Sequence, residues 1–197
     1  MKGRVVLALL TGILAACSSP PSKYYVLSAQ PDPGRPMLAG SPRTTVAIGA
    51  IKLPGALDRP QIARRLGPNQ LDYAEYDRWA GPLDEMIRRV LATDLRPRLP
   101  VGAVLIDNDS SASADLTIAI DVRSFDADKS GRVILDASWE TLDKNGKVVG
   151  TPSDAKIVEP AAGSDTAAVA ATMSRAVVDL AGNIALGVGV GVATAVR

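Results

Sequence analysis

Cys17 is the single thiol in a chain of 197 residues that contains no histidine. A lone cysteine can be a nucleophile, half of a disulfide, a buried apolar side chain or an attachment point. Without histidine, a Ser-His-Asp or Cys-His apparatus has no base, and a zinc site of the His/Cys kind has no donor set. An intrachain disulfide has no second cysteine. Neither G-x-S-x-G nor G-x-x-x-x-G-K-[ST] occurs. Carboxylates are then the remaining acid–base groups, and sequence proximity offers two pairs, Asp107 with Asp109 and Asp84 with Glu85. Nothing beside either pair supplies a partner of defined role, so both are expected to be solvated surface acids. The net charge of +1 leaves no basic footprint for nucleic acid.

The residues ahead of Cys17 say what the thiol is for. Lys2 and Arg4 are the only charges in the first 22 residues, and Val5–Leu14 is an apolar run ending in Ala15-Ala16-Cys17. A basic start, a short apolar run and small residues at its end make a secretory signal peptide. The run is too short to span a bilayer, which needs about 20 apolar residues as a helix. Leu14-Ala15-Ala16-Cys17 resembles a bacterial lipobox, with Leu14, Ala15 and Ala16 as recognition residues. That resemblance implies cleavage before Cys17 and acylation of it, with palmitate-type chains anchoring the product to a membrane. Ser18 follows where inner-membrane lipoproteins commonly carry Asp, which favours the outer membrane, facing the periplasm. Residues 1–16 are thus expected to be a lipoprotein signal peptide and residues 17–22 a lipidated N-terminus and tether, leaving 23–197 as a single domain.

The elements that follow come from patterning. Lys23–Leu27 is a short aromatic and β-branched strand, and residues 28–43, with four prolines, are an extended loop. Thr45–Leu53 is a largely buried strand ending at Pro54-Gly55. Gln61–Leu66 and Leu71–Tyr76 flank a turn and form a hairpin. Pro82 opens a helix in which Leu83, Met86, Ile87, Val90 and Leu91 share one stripe. Asp84–Arg88 and Glu85–Arg89 are spaced as i,i+4 ion pairs on its other face, and Pro97 closes it. Val101–Ile106 is a further strand. Asp115–Asp126 alternates apolar and polar residues, as a half-buried antiparallel strand does. Val133–Leu142 returns beside it, Asn145-Gly146 signals a hairpin, and Val148-Val149 and Asp154–Glu159 supply further edge pieces. Ser164 or Asp165 caps a second helix with Val169, Met173, Val177, Leu180 and Ile184 inward and Arg175–Asp179 as an exposed pair. Gly187–Ala193 reads as a tail or an added strand, or else as an apolar surface for a partner or lipid. The fold class is α+β, a mostly antiparallel β-sheet with two amphipathic helices packed on one face.

Four segments then carry a family resemblance: Tyr24-Tyr25-Val26-Leu27, Leu53-Pro54, Leu57-Asp58-Arg59-Pro60-Gln61-Ile62 and Arg78-Trp79-Ala80-Gly81-Pro82-Leu83. In this order behind a lipobox they resemble the ABC-type transport auxiliary lipoproteins, the PqiC-like family, across essentially the whole mature chain. The family usually has an acid after the Trp-Ala pair, where this chain has Gly81. The resemblance implies a non-catalytic periplasmic lipoprotein without cofactor or metal. It would serve an MCE-type intermembrane lipid transport system as an outer-membrane docking or scaffold subunit. Its partners would be the membrane, through the anchor, and an MCE-domain protein, with homo-oligomerisation left open and nucleic acid excluded. Trp79 is either an interface anchor or a core residue, and one of Tyr24 and Tyr25 should face outward; these three are the candidate partner interface. Two other readings stand beside this one. A carrier of lipid or another apolar ligand needs an enclosed apolar cavity, and a carboxylate enzyme needs the acids named above.

Overall fold

The computed structural model describes residues 20–30, 44–99, 102–106 and 113–195. The expected signal peptide at 1–16, Cys17, most of the expected proline-rich loop and the pair Asp107 and Asp109 lie outside the described residues.

Eight strands form one sheet: β1 Lys23–Tyr25, β2 Thr44–Lys52, β3 Gln61–Gly67, β4 Gln70–Trp79, β5 Ala103–Ile106, β6 Leu116–Asp128, β7 Val133–Asp143 and β8 Val148–Glu159. Helix α1 is Leu83–Leu95, extended by a 3-10 turn at Arg96–Arg98, and helix α2 is Thr166–Ala195. The fold is α+β, as expected. The sheet is mixed: its long ladders, β6–β7, β7–β8 and β3–β4, are antiparallel, while β2 and β3 join β6 in parallel.

β6 organises the sheet. One edge pairs with β7 along the strand, and the other takes β2 at Leu116–Asp121 and β3 at Ala127–Asp128. Alternation buries Leu116, Ile118, Ile120 and Val122. A register shift between Val122 and Ser124 then moves the inward positions to Phe125 and Ala127. Asp126, between these two positions and so on the opposite face, is also buried, and Arg65 of β3 grips it through two hydrogen bonds of 2.7 and 2.8 Å.

Both helices pack on one face and against each other. In α1 the stripe Leu83, Met86, Ile87, Val90 and Leu91 is buried as patterned. Arg88 does not act as the outward partner of Asp84. It donates to the carbonyls of Ile48 and Gly49, each at 2.6 Å, where β2 slips register between Ile48 and Ile51. The slip frees backbone carbonyls, and a guanidinium stabilises them better than a surface carboxylate partner would reward it. Gly49 is required there: a Cβ would stand 2.7 Å from Thr117 Cγ2 and 3.2 Å from the Ile118 carbonyl oxygen.

Three further expectations change. Val148–Glu159 is one continuous strand: its ladder to β7 slips register opposite Trp139–Thr141, where positive-φ Gly150 and Pro152 fall, and resumes from Ser153; an edge strand tolerates the missing proline N–H. Arg175 pairs with Glu159 at 3.2 Å and not with Asp179 alone in solvent. Gly187–Ala193 is neither tail nor strand but the end of α2. Its glycines cost about 1 kcal/mol each in a helix, yet Val188 is fully buried, and Gly187 leaves room for the Trp139 indole, whose Nε1 would lie 3.3 Å from a Cβ. Asp165 caps this helix by accepting the Ala168 N–H at 3.0 Å. Over Thr166–Val188 it is long and apolar enough to cross a bilayer, yet most of its apolar side is buried against the sheet and α1, as in a core helix.

Candidate functional site

The segments singled out in the sequence meet at one end of the sheet. β1 is a terminal strand, parallel to β4, with Lys23, Tyr24 and Tyr25 opposite Asp77, Arg78 and Trp79. The Tyr25 carbonyl accepts the Ala80 N–H at 2.8 Å, and the Pro60 carbonyl accepts the Trp79 N–H at 2.7 Å. These two bonds draw together the Leu57–Ile62 loop and the Arg78–Leu83 corner. Between them lies a cleft of about 310 Å³ lined by Asp58, Arg59, Pro60, Trp79, Gly81 and Pro82 among others. Leu57 is buried beneath it, held by its N–H to the Pro54 carbonyl at 2.8 Å.

The three aromatic candidates separate. Trp79 is 4% exposed and belongs to the core. Tyr25 is half-buried, and its hydroxyl donates to Asp77 Oδ1 at 3.2 Å while Thr166 Oγ1 donates to Asp77 Oδ2 at 2.6 Å. Burial and the Asp77 carboxylate raise the Tyr25 pKa, so the ring stays neutral and ties β1 and β4 to the start of α2. Tyr24 is 66% exposed and faces outward. Beyond it Val26 is 51% exposed, Leu27 is buried, and the Ser28 N–H donates to Ser174 Oγ on α2 at 3.1 Å. Arg59 is exposed at the cleft and stacks its guanidinium 4.3 Å from the Tyr73 ring centroid. A Cβ at Gly81 would meet nothing within 4 Å, so the cleft has room for the acid that the family usually carries there.

A second depression, about 570 Å³, lies between the β8 edge and α2. Ile157, Val158, Val178 and Leu186 line it, with Glu159 and Asp179 as its acidic members. Burial and the neighbouring Asp179 carboxyl raise the Glu159 pKa, against the Arg175 guanidinium. It is an open groove, not an enclosed cavity. Asp84 and Glu85 sit in the first turn of α1, where acids suit the helix dipole. Among the described residues no cluster of three acids or thiols could hold a metal ion.

An α+β sheet module with a largely aliphatic core and an exposed N-terminal edge is the class that fold and site define. The chain belongs to the family of ABC-type transport auxiliary lipoprotein components, whose model matches residues 25–185. It is a transport family and not an enzyme family. Two solved structures are similar. An uncharacterised protein superposes with a TM-score of 0.71 at 17% identity, covering 86% of this chain and 99% of that one. Protein XCC0632 from Xanthomonas campestris gives 0.66 at 21% identity, covering 88% and 95%. At such identities these likenesses establish the fold alone. No curated protein matches the chain.

Proposed function

We propose that this chain is a lipoprotein of the outer membrane, facing the periplasm, and serves an MCE-type intermembrane lipid transport system as a docking or scaffold subunit. Leu14, Ala15 and Ala16 guide cleavage, and Cys17 carries the acyl chains. The domain from 23 onward works by contact and not by catalysis. The family match over residues 25–185, from the end of β1 into the second helix, is the observation that carries this reading. The cleft between the Leu57–Ile62 loop and the Arg78–Leu83 corner supports it, because the family-like segments converge there. We assign the partner contact to the rim of that cleft, with Trp79 and Tyr25 as the rigid support behind it. The open groove beside β8 is the place a carrier role would use, and native mass spectrometry of the unlipidated domain tests that alternative by its bound lipid.

The main test is twofold. Palmitate labelling in the producing cell should mark the wild-type protein and be lost in Cys17→Ala. Capture from detergent extracts should then bring down an MCE-domain protein. Labelling without such a partner would remove the MCE assignment and leave an anchored auxiliary lipoprotein of another transport system.

A further inference from the structure

The edge that carries Tyr24 is bound by chain length to stay near the anchor. This rests on the acylation of Cys17 proposed above. Lys23 is six residues after Cys17, and a chain extends at most about 3.6 Å per residue, so the two lie within roughly 20 Å on any path. The described chain already begins at Pro20, three residues after Cys17.

β1 cannot swing away from the domain to relieve that constraint. It is paired with β4 at three successive positions, its Tyr25 carbonyl is bonded to Ala80, Leu27 is buried behind it, and Ser28 is bonded to Ser174. A lipid on Cys17 therefore keeps this end of the sheet within roughly 20 Å of the bilayer.

The residues presented there suit a headgroup layer. Tyr24 and Val26 are exposed and two apart, so they share one side of the extended segment, while Tyr25 and Leu27 turn inward. Lys23 is exposed at the start of the strand, and Arg59 is exposed at the neighbouring cleft. A tyrosine with an apolar body and polar tip favours the membrane–water interface, and lysine and arginine near an anionic leaflet are drawn to it. We infer that the free edge at Lys23–Val26 rests on the leaflet that takes the Cys17 acyl chains, with Tyr24 and Val26 among the headgroups and Lys23 at the phosphates. The occupant is lipid, and the cleft behind the edge remains for protein.

The test uses the full acylated protein in vesicles of phosphatidylethanolamine and phosphatidylglycerol. Acylation consumes the only native thiol, so Tyr24→Cys and Val158→Cys each give one site for an environment-sensitive fluorophore. Val158 is exposed on β8 and lies five strand spacings across the sheet, about 24 Å at 4.8 Å each. The expected result is a severalfold rise in emission at position 24, quenched by nitroxide-headgroup lipid, with no change at 158. In the labelled Tyr24→Cys protein, Val26→Asp should lower both the rise in emission and its quenching. Protein that floats with the vesicles yet shows an unquenched label at 24 overturns the inference and spares the anchor. A rise in emission at 24 that appears only when an MCE-domain partner is added overturns it in favour of a protein surface. Failure to float, with a free N-terminal thiol by mass, removes the anchor and this inference together.

Discussion

Arg65 and Asp126 meet in a two-pronged ion pair, Nε to Oδ1 at 2.7 Å and the terminal nitrogen to Oδ2 at 2.8 Å, across the short parallel junction of β3 and β6. That junction joins the β1–β4–β3 side of the sheet to β6, and the pair is its main polar fastening. Asp126 is buried, while Arg65 reaches partly to solvent, and the carboxylate raises the Arg65 pKa. Asp126→Ala strands a guanidinium and should cost about 2–4 kcal/mol in urea unfolding, near the low end for buried pairs because of that exposure. Arg65→Met with Asp126→Leu should recover most of the loss. If the double variant is no better than the single, the pair does more than fasten the strands.

The approach of β2 to β6 at Gly49 sets a second expectation. Gly49→Ala forces its Cβ against Thr117 Cγ2 and the Ile118 carbonyl. Overpacking of this kind costs about 1–3 kcal/mol. Thr117→Ser removes the nearer atom and should return part of the stability of the Gly49→Ala protein, measured by the same denaturant midpoint. An unchanged midpoint in Gly49→Ala would show that β2 can shift freely.

Asp94 makes stability depend on pH. It is fully buried in α1, with the Gln30 backbone and the Arg98 charge near its carboxylate. Burial raises its pKa, offset in part by the nearby Gln30 backbone and the Arg98 charge. In the unfolded chain the group titrates near about 3.9. Below that pH both states hold the proton and the fold bears no ionic cost. As pH climbs through the raised folded value, the unfolded state has released its proton and the folded state is penalised, so stability falls. Asp94→Asn removes this slope. The variant should therefore gain on wild type between pH 4 and pH 7 in paired urea titrations, and parallel curves would place the carboxylate in water.

Trp79 and Tyr24 should respond in opposite ways. Trp79→Ala empties a core site and should cost about 3–5 kcal/mol, whereas Tyr24→Ala should stay within about 0.5 kcal/mol. Thermal and urea unfolding of the soluble domain would measure both. A large loss at Tyr24 would mean that its ring supports the sheet edge from outside.

How much of this was legible beforehand depends on how local the cause is. Leu116–Val122 shows its inward face by alternation alone, and the α1 stripe by its helical spacing, because each needs only its own residues. Asp126 could not be placed that way: the slip beside Arg123 reverses the alternation, and the β7 register shows the slip only when the two strands are paired. Arg88 looked like a surface partner of Asp84, since the carbonyls that claim it lie forty residues upstream. The segments of the cleft were visible one at a time. Their meeting depends on the β3–β4 hairpin and two backbone bonds that no pattern in either segment announces.

Residue order alone determined the lone cysteine, the α+β class, most element positions and the absence of histidine chemistry, since these follow from composition and short-range periodicity. Tertiary structure decided which tyrosine faces out, that Trp79 is core, that the glycine-rich C-terminal stretch stays helical, and where a cleft opens. Each of those outcomes turns on contacts between segments far apart in the chain, where packing and shared hydrogen bonds outweigh local preference.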